Sequence, residues 1–171
     1  MINKNVEKAL NDQVNAEMYS SYLYLSMSAY FESIDLPGFA QWMKAQAQEE
    51  MVHTMKMYDY IIERGGRMMF SAIEAPPAEW NGPEDVFKAT LAHEQMVTGL
   101  INNLVDVALA EKDHATNIFL QWFVSEQVEE ESTVGSVLQH LKMVGDHGHG
   151  LFMMDRELGT RGAPATMATT E

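Results

Sequence analysis

Apolar side chains recur at helical spacing in four long segments of the chain. The first segment runs from about residue 6 to residue 33, and its apolar face carries Leu10, Val14, Tyr24 and Phe31. This spacing is close to the period of an α-helix and predicts the first helix. Asp35 and Pro37 then mark a new start, and helical periodicity continues until two adjacent glycines at 65 and 66. The sequence therefore predicts a second helix there.

Two more long helices and a short one follow. Asn81 with Glu84 three residues later resembles a capping box, and predicts the start of a third helix that ends near Lys112. Asp113 can cap a fourth helix, which extends to about Gly145. Residues 151–158 predict a short fifth helix. We expect residues 1–160 to form one domain and residues 161–171 to form a flexible tail.

The connections between these helices predict how they are arranged. The first and second helices, and the third and fourth, are joined by only a few residues, so each pair should form an antiparallel hairpin. The link from 65 to 82 is long, contains two adjacent prolines and has no period. About 17 extended residues reach roughly 56 Å, whereas a helix of about 28 residues is roughly 42 Å long. The link can therefore cross the whole bundle, which predicts an all-α four-helix bundle with one long crossover.

Each long helix also carries one glutamate on its apolar line. Positions seven or eleven apart fall within about 20° of each other around a helix. By that rule the glutamates aligned with apolar residues are Glu17, Glu50, Glu94 and Glu130. All four lie close to the midpoints of their helices, so they can meet in one layer. His53 follows Glu50 by three residues and Gln127 precedes Glu130 by three, which places each on the same face one turn away.

Buried carboxylates in one layer require compensation. Each unpaired buried carboxylate costs several kcal/mol, and four of them also repel one another. Protonation could relieve the cost, and so could basic partners, but no Lys or Arg falls on these lines near the middle layer. Two divalent cations would neutralise the four charges, with Glu50 and Glu130 bridging between metals. A metal centre is the hypothesis that explains the pattern best.

Other polar residues are less decisive. Glu49, Glu126 and Glu129 lie beside the first set on the second and fourth helices, where they form either a solvated face or a third metal position. Most of the remaining histidines are expected to be surface or capping residues. They are His93, His114, His140, His147 and His149.

Composition narrows the chemistry further. The 171-residue chain has no cysteine, so histidine and carboxylates are the strong ligands it can offer, which favours hard or borderline metals. Its formal net charge of -14 argues against binding to nucleic acid, which requires a basic surface. We find no apolar run long enough to span a bilayer and no secretory signal, and expect a soluble cytoplasmic protein.

Several segments together resemble a known family. EEMVH at 49–53, AHEQ at 92–95, FLQWFVSEQVEEE at 119–131 and GLFMMDREL at 150–158 look like a prokaryotic non-haem ferritin, as does Glu17 followed by MYSSYLY. The resemblance covers nearly the whole chain up to about Leu158. It implies an iron-storage protein and ferroxidase, in which Fe(II) is oxidised by O2 or peroxide. It also implies a homo-oligomeric shell of twenty-four subunits with the mineral inside.

The resemblance further implies which residues hold iron. Glu17, Glu50 and His53 would bind the first iron, whereas Glu50, Glu94 and Glu130 would bind the second, with Gln127 close by. A third, looser position would be formed by Glu49, Glu126, Glu129 and Glu130. Tyr24 would be the hydrogen-bonding or redox-active tyrosine beside the centre.

One difference from the general di-iron pattern indicates which branch of the family the chain resembles. The general di-iron bundle has a Glu-x-x-His pair on two helices, but here Gln127-x-x-Glu130 stands in place of the second pair. This disfavours a bacterioferritin. Met51 directly follows Glu50, where bacterioferritins place a haem-ligating methionine, yet without the second histidine no haem is expected.

Two other functions remain possible from the sequence. A di-iron oxidase or peroxidase without storage would use the same bundle and ligands. A helical bundle that binds partners or DNA is disfavoured by the aligned glutamates and by the net charge.

Overall fold

Five α-helices make up the regular structure of the residues described by the computed structural model, which are 2–145 and 147–162. They are α1 (Lys4–Ser33), α2 (Pro37–Glu63), α3 (Pro83–Ala110), α4 (His114–Val144) and α5 (Gly148–Leu158). The predicted all-α bundle with a short fifth helix is confirmed. Most of the predicted tail lies outside the described residues, so the division at residue 160 stays a prediction.

Hydrogen bonds fix the relative direction of α1 and α2. Ser21 Oγ donates to the Ala47 carbonyl, and Ser28 Oγ donates to the Ala40 carbonyl, both at 2.8 Å. Residue numbers therefore rise along α1 while they fall along α2. The two helices form the predicted antiparallel hairpin.

The contacts between α1 and α3 show that these two helices also run antiparallel. Ser20 Oγ lies 2.8 Å from His93 Nε2, whereas Met27, further along α1, accepts a hydrogen bond from Thr90, earlier on α3. Since α1 is antiparallel to both α2 and α3, these two helices run parallel. The long link must therefore cross the bundle from end to end, as its length predicted.

The link from residue 64 to residue 82 lies along α1 and is held by polar side chains of that helix. Asn11 Nδ2 donates to the Arg67 carbonyl at 3.1 Å, and Ser26 Oγ donates to the Pro77 carbonyl at 2.6 Å. In the opposite direction, the backbone N–H of Arg67 donates to Glu7 Oε1 at 2.7 Å, so backbone atoms of the link both accept from and donate to side chains of α1. The absence of any period in the link is therefore compatible with a fixed course.

The predicted capping box at the start of α3 is wrong. Gly82, with φ of 106°, immediately precedes the helix, and Pro83 occupies its first position. The backbone N–H of Asn81 donates to Asp85 Oδ2 at 2.9 Å, and Glu84 is not the partner. Proline fixes a helical φ at the first position and needs no N–H partner, so the helix can start without the reciprocal box.

The predicted cap of α4 is confirmed. Asp113 Oδ1 accepts a hydrogen bond from the Thr116 N–H at 3.1 Å, and the same carboxylate binds the guanidinium of Arg64 at 3.0–3.1 Å. The helix start is thus tied to the end of α2. At the other end of α4, α5 begins three residues earlier than predicted, so His149 lies within it and only His147 precedes it.

The helix α5 packs against the start of α2. Asp155 Oδ1 accepts hydrogen bonds from the N–H groups of Gly38 at 2.8 Å and Phe39 at 3.1 Å, which caps α2 from a distant helix. A Cβ atom at Gly38 would lie 1.6 Å from the Asp155 carbonyl oxygen. Only glycine permits this approach.

The apolar core consists of two clusters at opposite ends of the bundle. One cluster contains Phe31, Phe39 and Phe87, and the other contains Leu10 and Ile101. Between them lies the level of the aligned glutamates. Among the described residues, no helix is both long and apolar enough to cross a membrane.

Candidate metal centre

Three of the predicted ligands meet between α1 and α2. One ligand atom from each of Glu17, Glu50 and His53 lies within 4.8 Å of the other two. His53 Nδ1 is 3.3 Å from Glu50 Oε2. Residue 53 follows residue 50 by three on α2, which brings the imidazole and the carboxylate to one side of the helix. The three side chains could therefore hold one metal ion.

Two further glutamates reach the same layer from α3 and α4. Gln127 Nε2 donates to Glu94 Oε2 at 3.2 Å, and the Tyr24 hydroxyl donates to the other oxygen of that carboxylate. Gln46 Nε2 donates to Glu130 Oε2 at 2.6 Å. Neither carboxylate belongs to the close group of three. Each is held in place by neutral amide or hydroxyl donors.

Burial makes this layer electrostatically costly. The four glutamates are at most 7% exposed. Burial, followed by the charge of Glu50, raises the pKa of Glu17 to about 8. Burial and the charge of Glu94 raise the pKa of Glu130 to about 7. The pKa of Glu50 is raised well above its ordinary value, by burial first and then by the charges of Glu94 and Glu130. Negative charges on α3 and on α4 therefore both act on the Glu50 carboxylate.

The donor set fits divalent cations. Glu17 Oε1 accepts a hydrogen bond from Gln13 Nε2 at 2.9 Å, whereas Glu17 Oε2 is buried without any hydrogen-bond partner among the described residues. A buried carboxylate oxygen without a partner has lost its hydration, and no hydrogen bond compensates for the free-energy cost. A cation beside Glu50 and His53 would satisfy it and offset the repulsion that raises these pKa values.

Tyr24 lies on the α3 side of the layer. It is fully buried, and its pKa is raised well above the ordinary value by burial and then by the charge of Glu94. The ring of His93 meets the Tyr24 ring edge-on, with the centroids 5.8 Å apart. Burial lowers the pKa of His93 to about 4, so this imidazole is neutral near pH 7. Tyr24 is therefore a neutral phenol hydrogen-bonded to a predicted ligand.

The second acidic set lies at the edge of the bundle. Glu49 is half-buried and forms an ion pair with Arg161. Burial is the largest cause that raises the pKa of Glu49; the charge of Arg161 lowers it, and the charges of Glu126 and Glu129 raise it, so both of these carboxylates act electrostatically on Glu49. Glu126 is half-buried and Glu129 is exposed. The structure brings the set together but gives it a cation from the chain itself.

Sequence reasoning missed several residues of this region. Gln13 precedes Glu17 by four residues, and Gln46 precedes Glu50 by four. That spacing could have identified both amides, because residues four apart share a helix face. No comparable signal marked Arg161, which comes from beyond α5. Of the five histidines predicted to be surface or capping residues, four are exposed, namely His114, His140, His147 and His149, whereas His93 is half-buried between α3 and α1 and the prediction is wrong for it.

A four-helix bundle with a long crossover, enclosing buried carboxylates and one histidine, defines the class of ferritin-like proteins. The family model described as "Ferritin-like domain" matches residues 7–144. The chain belongs to the ferritin family, and its curated relatives place it beside the bacterial non-haem members. Iron storage is the function that this membership supports.

The similar proteins cover almost the whole chain. A "Bacterial non-heme ferritin" of Bacteroides fragilis strain 638R is 49% identical over 161 residues, which span 94% of this chain and 100% of the relative. A "Probable bacterial non-heme ferritin-like protein" of Haemophilus influenzae is 44% identical over 159 residues, 93% of this chain and 96% of that protein. Engineered closed-form Archaeoglobus fulgidus ferritin has a TM-score of 0.95 at 48% identity, covering 95% of this chain and 99% of that chain.

Proposed function

We propose that this protein stores iron by oxidising Fe(II) at an intrasubunit di-iron centre and depositing the ferric product inside a hollow shell. The observation that carries the proposal is the buried layer of four glutamates with His53, which has no internal cation to balance it among the contacts described above. The family membership and the near-complete coverage of ferritin relatives support the same reading.

Two iron positions are proposed within the layer. Glu17, Glu50 and His53 would hold the first Fe(II), and their close approach supports this assignment. Glu50, Glu94 and Glu130 would hold the second, with Gln127 orienting Glu94. Glu50 is suited to a bridging role because charges on both neighbouring helices act on its carboxylate.

The proposed reaction balances with two iron ions. Each Fe(II) gives one electron, and O2 takes the two electrons and two protons to yield H2O2. Oxygen ligands favour Fe(III) over Fe(II), so carboxylates lower the potential of the iron and promote the oxidation. With H2O2 as oxidant in place of O2, the same two electrons and two protons would yield two water molecules. Tyr24 would steady Glu94 through its hydrogen bond and stay close enough to take part in electron transfer.

Binding of iron requires that the carboxyl groups lose protons. Glu17 and Glu130 have pKa values of about 8 and about 7 without metal, so near pH 7 a large share of these groups is protonated. Fe(II) binding must therefore release protons, which is the general behaviour of sites whose ligands are ionised. Metal binding therefore completes the ionisation of these carboxyl groups.

A third, weaker iron position is proposed at Glu49, Glu126 and Glu129, with Glu130 shared between it and the layer. We further propose that twenty-four subunits form the shell and that the protein works in the cytoplasm. Open-pore and closed forms are described for the Archaeoglobus fulgidus ferritin, and the overall match to that protein supports a similar assembly here.

Anaerobic Fe(II) titration tests the centre. We expect two tight ions per subunit in the native protein, and loss of tight binding in Glu50→Ala and His53→Ala. An exposed control, Glu79→Ala, should bind as the native protein does, because Glu79 lies in the link and is solvent-exposed. Unchanged binding in both site variants would overturn the proposed centre.

Storage is tested separately from oxidation. Gel filtration of the same sample, followed by aerobic loading with Fe(II), should show a large shell that takes up far more iron than its binding sites hold. A monomer or dimer that oxidises Fe(II) but mineralises only a stoichiometric amount would instead identify an oxidase without storage.

A further inference from the structure

Arg161 is held in a defined position immediately beyond α5, and three residues of α2 hold it there. Its guanidinium forms an ion pair with Glu49 and lies over the ring of Trp42, 4.3 Å from the ring centroid. Its backbone carbonyl accepts a hydrogen bond from Gln41 Nε2 at 3.3 Å. The side chain is only 21% exposed. An arginine stacked on an aromatic ring and paired with a carboxylate is a specific arrangement and not a loose surface contact.

This arginine pairs with one member of an acidic set that two helices contribute. Glu49 comes from α2, whereas Glu126 and Glu129 come from α4, and both act electrostatically on Glu49. Arg161 acts on the same carboxylate with the opposite sign. The positive charge of Arg161 therefore already neutralises part of the negative charge at the proposed third cation position.

We propose that Arg161 competes with metal for Glu49 and so determines how weakly the third position binds its cation. The inference rests on the proposed function, because it concerns the third of the proposed iron positions. Because Arg161 Nη2 pairs with Glu49 Oε2, an incoming cation at Glu49 must compete with the guanidinium for this carboxylate. The first two positions have no such competitor in the contacts described for Glu17, Glu50 and His53.

The arrangement allows displacement because Arg161 is only partly satisfied there. Its Nη1 atom is buried without a hydrogen-bond partner among the described residues. An unpaired buried N–H costs free energy, which offsets part of what the ion pair and the ring stacking contribute. The guanidinium can therefore yield to a divalent cation and return when the cation departs. Competition from Arg161 therefore makes the third ion easier to release than it would be without this arginine.

Titration calorimetry with Zn²⁺ on metal-free assembled protein tests the proposal, since Zn²⁺ reports binding without oxidation. Four proteins are compared with the native one. Arg161→Gln removes the competing charge, and Arg161→Lys keeps a charge but loses the planar guanidinium. Arg156→Gln makes the same change in charge at an exposed position of α5. The double variant Arg161→Gln with Glu49→Gln removes the shared ligand.

We expect the third binding step to become about tenfold tighter in Arg161→Gln, because a divalent cation and a guanidinium a few ångströms apart repel each other even in water. Arg156→Gln should bind as the native protein does, and Arg161→Lys should fall between the two. The double variant should lose the third step, which assigns that step to Glu49.

Two results would overturn the inference while leaving the proposed function intact. One is a third step of equal affinity in Arg161→Gln and Arg156→Gln. The other is tightening in Arg161→Gln that survives removal of Glu49. Loss of the first two steps in the native protein is a different outcome, since it would contradict the di-iron centre itself.

Discussion

The cost of the buried carboxylates can be measured by replacing one of them. Glutamine at position 17 is nearly isosteric with glutamate and keeps an oxygen to accept the hydrogen bond from Gln13, but it carries no charge. We expect Glu17→Gln to make the metal-free protein more stable at pH 8 and to change its stability far less at pH 5. The same variant should lose metal at the first position.

The magnitude follows from the pKa of Glu17, which rises from an ordinary value of 4.5 to about 8 in the fold. Between these values the unfolded chain has released the proton while the folded chain still holds it, so stability falls as pH rises. At about 1.4 kcal/mol per pH unit, the interval sets an upper bound of about 5 kcal/mol at pH 8. Relaxation around the charge should reduce the effect to about 2–3 kcal/mol, or about 5–10 °C in melting temperature.

The assay is thermal unfolding of chelator-treated protein, followed by circular dichroism at pH 5 and pH 8. Protein concentration is held constant, because unfolding of an oligomer depends on it. Glu79→Gln is the matched control, since it removes the same charge from an exposed position in the link. An equal melting temperature for Glu17→Gln and native protein at pH 8 would refute the reasoning, as would a gain of the same size at pH 5.

Three further predictions concern protons, packing and catalysis. Anaerobic Fe(II) binding should release protons in a pH-stat, and fewer of them as pH rises past about 8, where Glu17 and Glu130 are already ionised; a pH-independent release would contradict this. Gly38→Ala should lower the melting temperature by several degrees, because its Cβ would meet the Asp155 carbonyl at 1.6 Å. Gly99→Ala, with open space around the Cβ, should not lower it. Glu130→Ala should slow O2-dependent oxidation in stopped-flow measurements without changing shell size, and native kinetics would count against its role.

The sequence predicted those features that depend on periodicity within one helix. The aligned glutamates could be found because burial repeats along a helix at a fixed angle, and His53 because it lies one turn from Glu50. The direction of the crossover followed from the length of the link alone. These inferences need no knowledge of which helices touch.

Features that depend on contacts between distant segments could not be predicted in the same way. The N-terminus of α2 is capped by Asp155, which lies more than a hundred residues away in the chain, so no local pattern at Pro37 indicates it. The capping box at Asn81 failed for the opposite reason, because a local pattern was present but proline and glycine provided another start. Arg161 reaches Glu49 only because α5 is docked on α2.

The course of the crossover has a consequence for how the chain tolerates change. Because Asn11 and Ser26 bind carbonyl oxygens of the link, part of what positions residues 64–82 lies in the sequence of α1. Every residue has a carbonyl, so these two bonds tolerate any side chain in the link, whereas the packing of Trp80 on Tyr30 requires its own side chain. Substitutions at Asn11 or Ser26 would instead release a segment that neither of them belongs to.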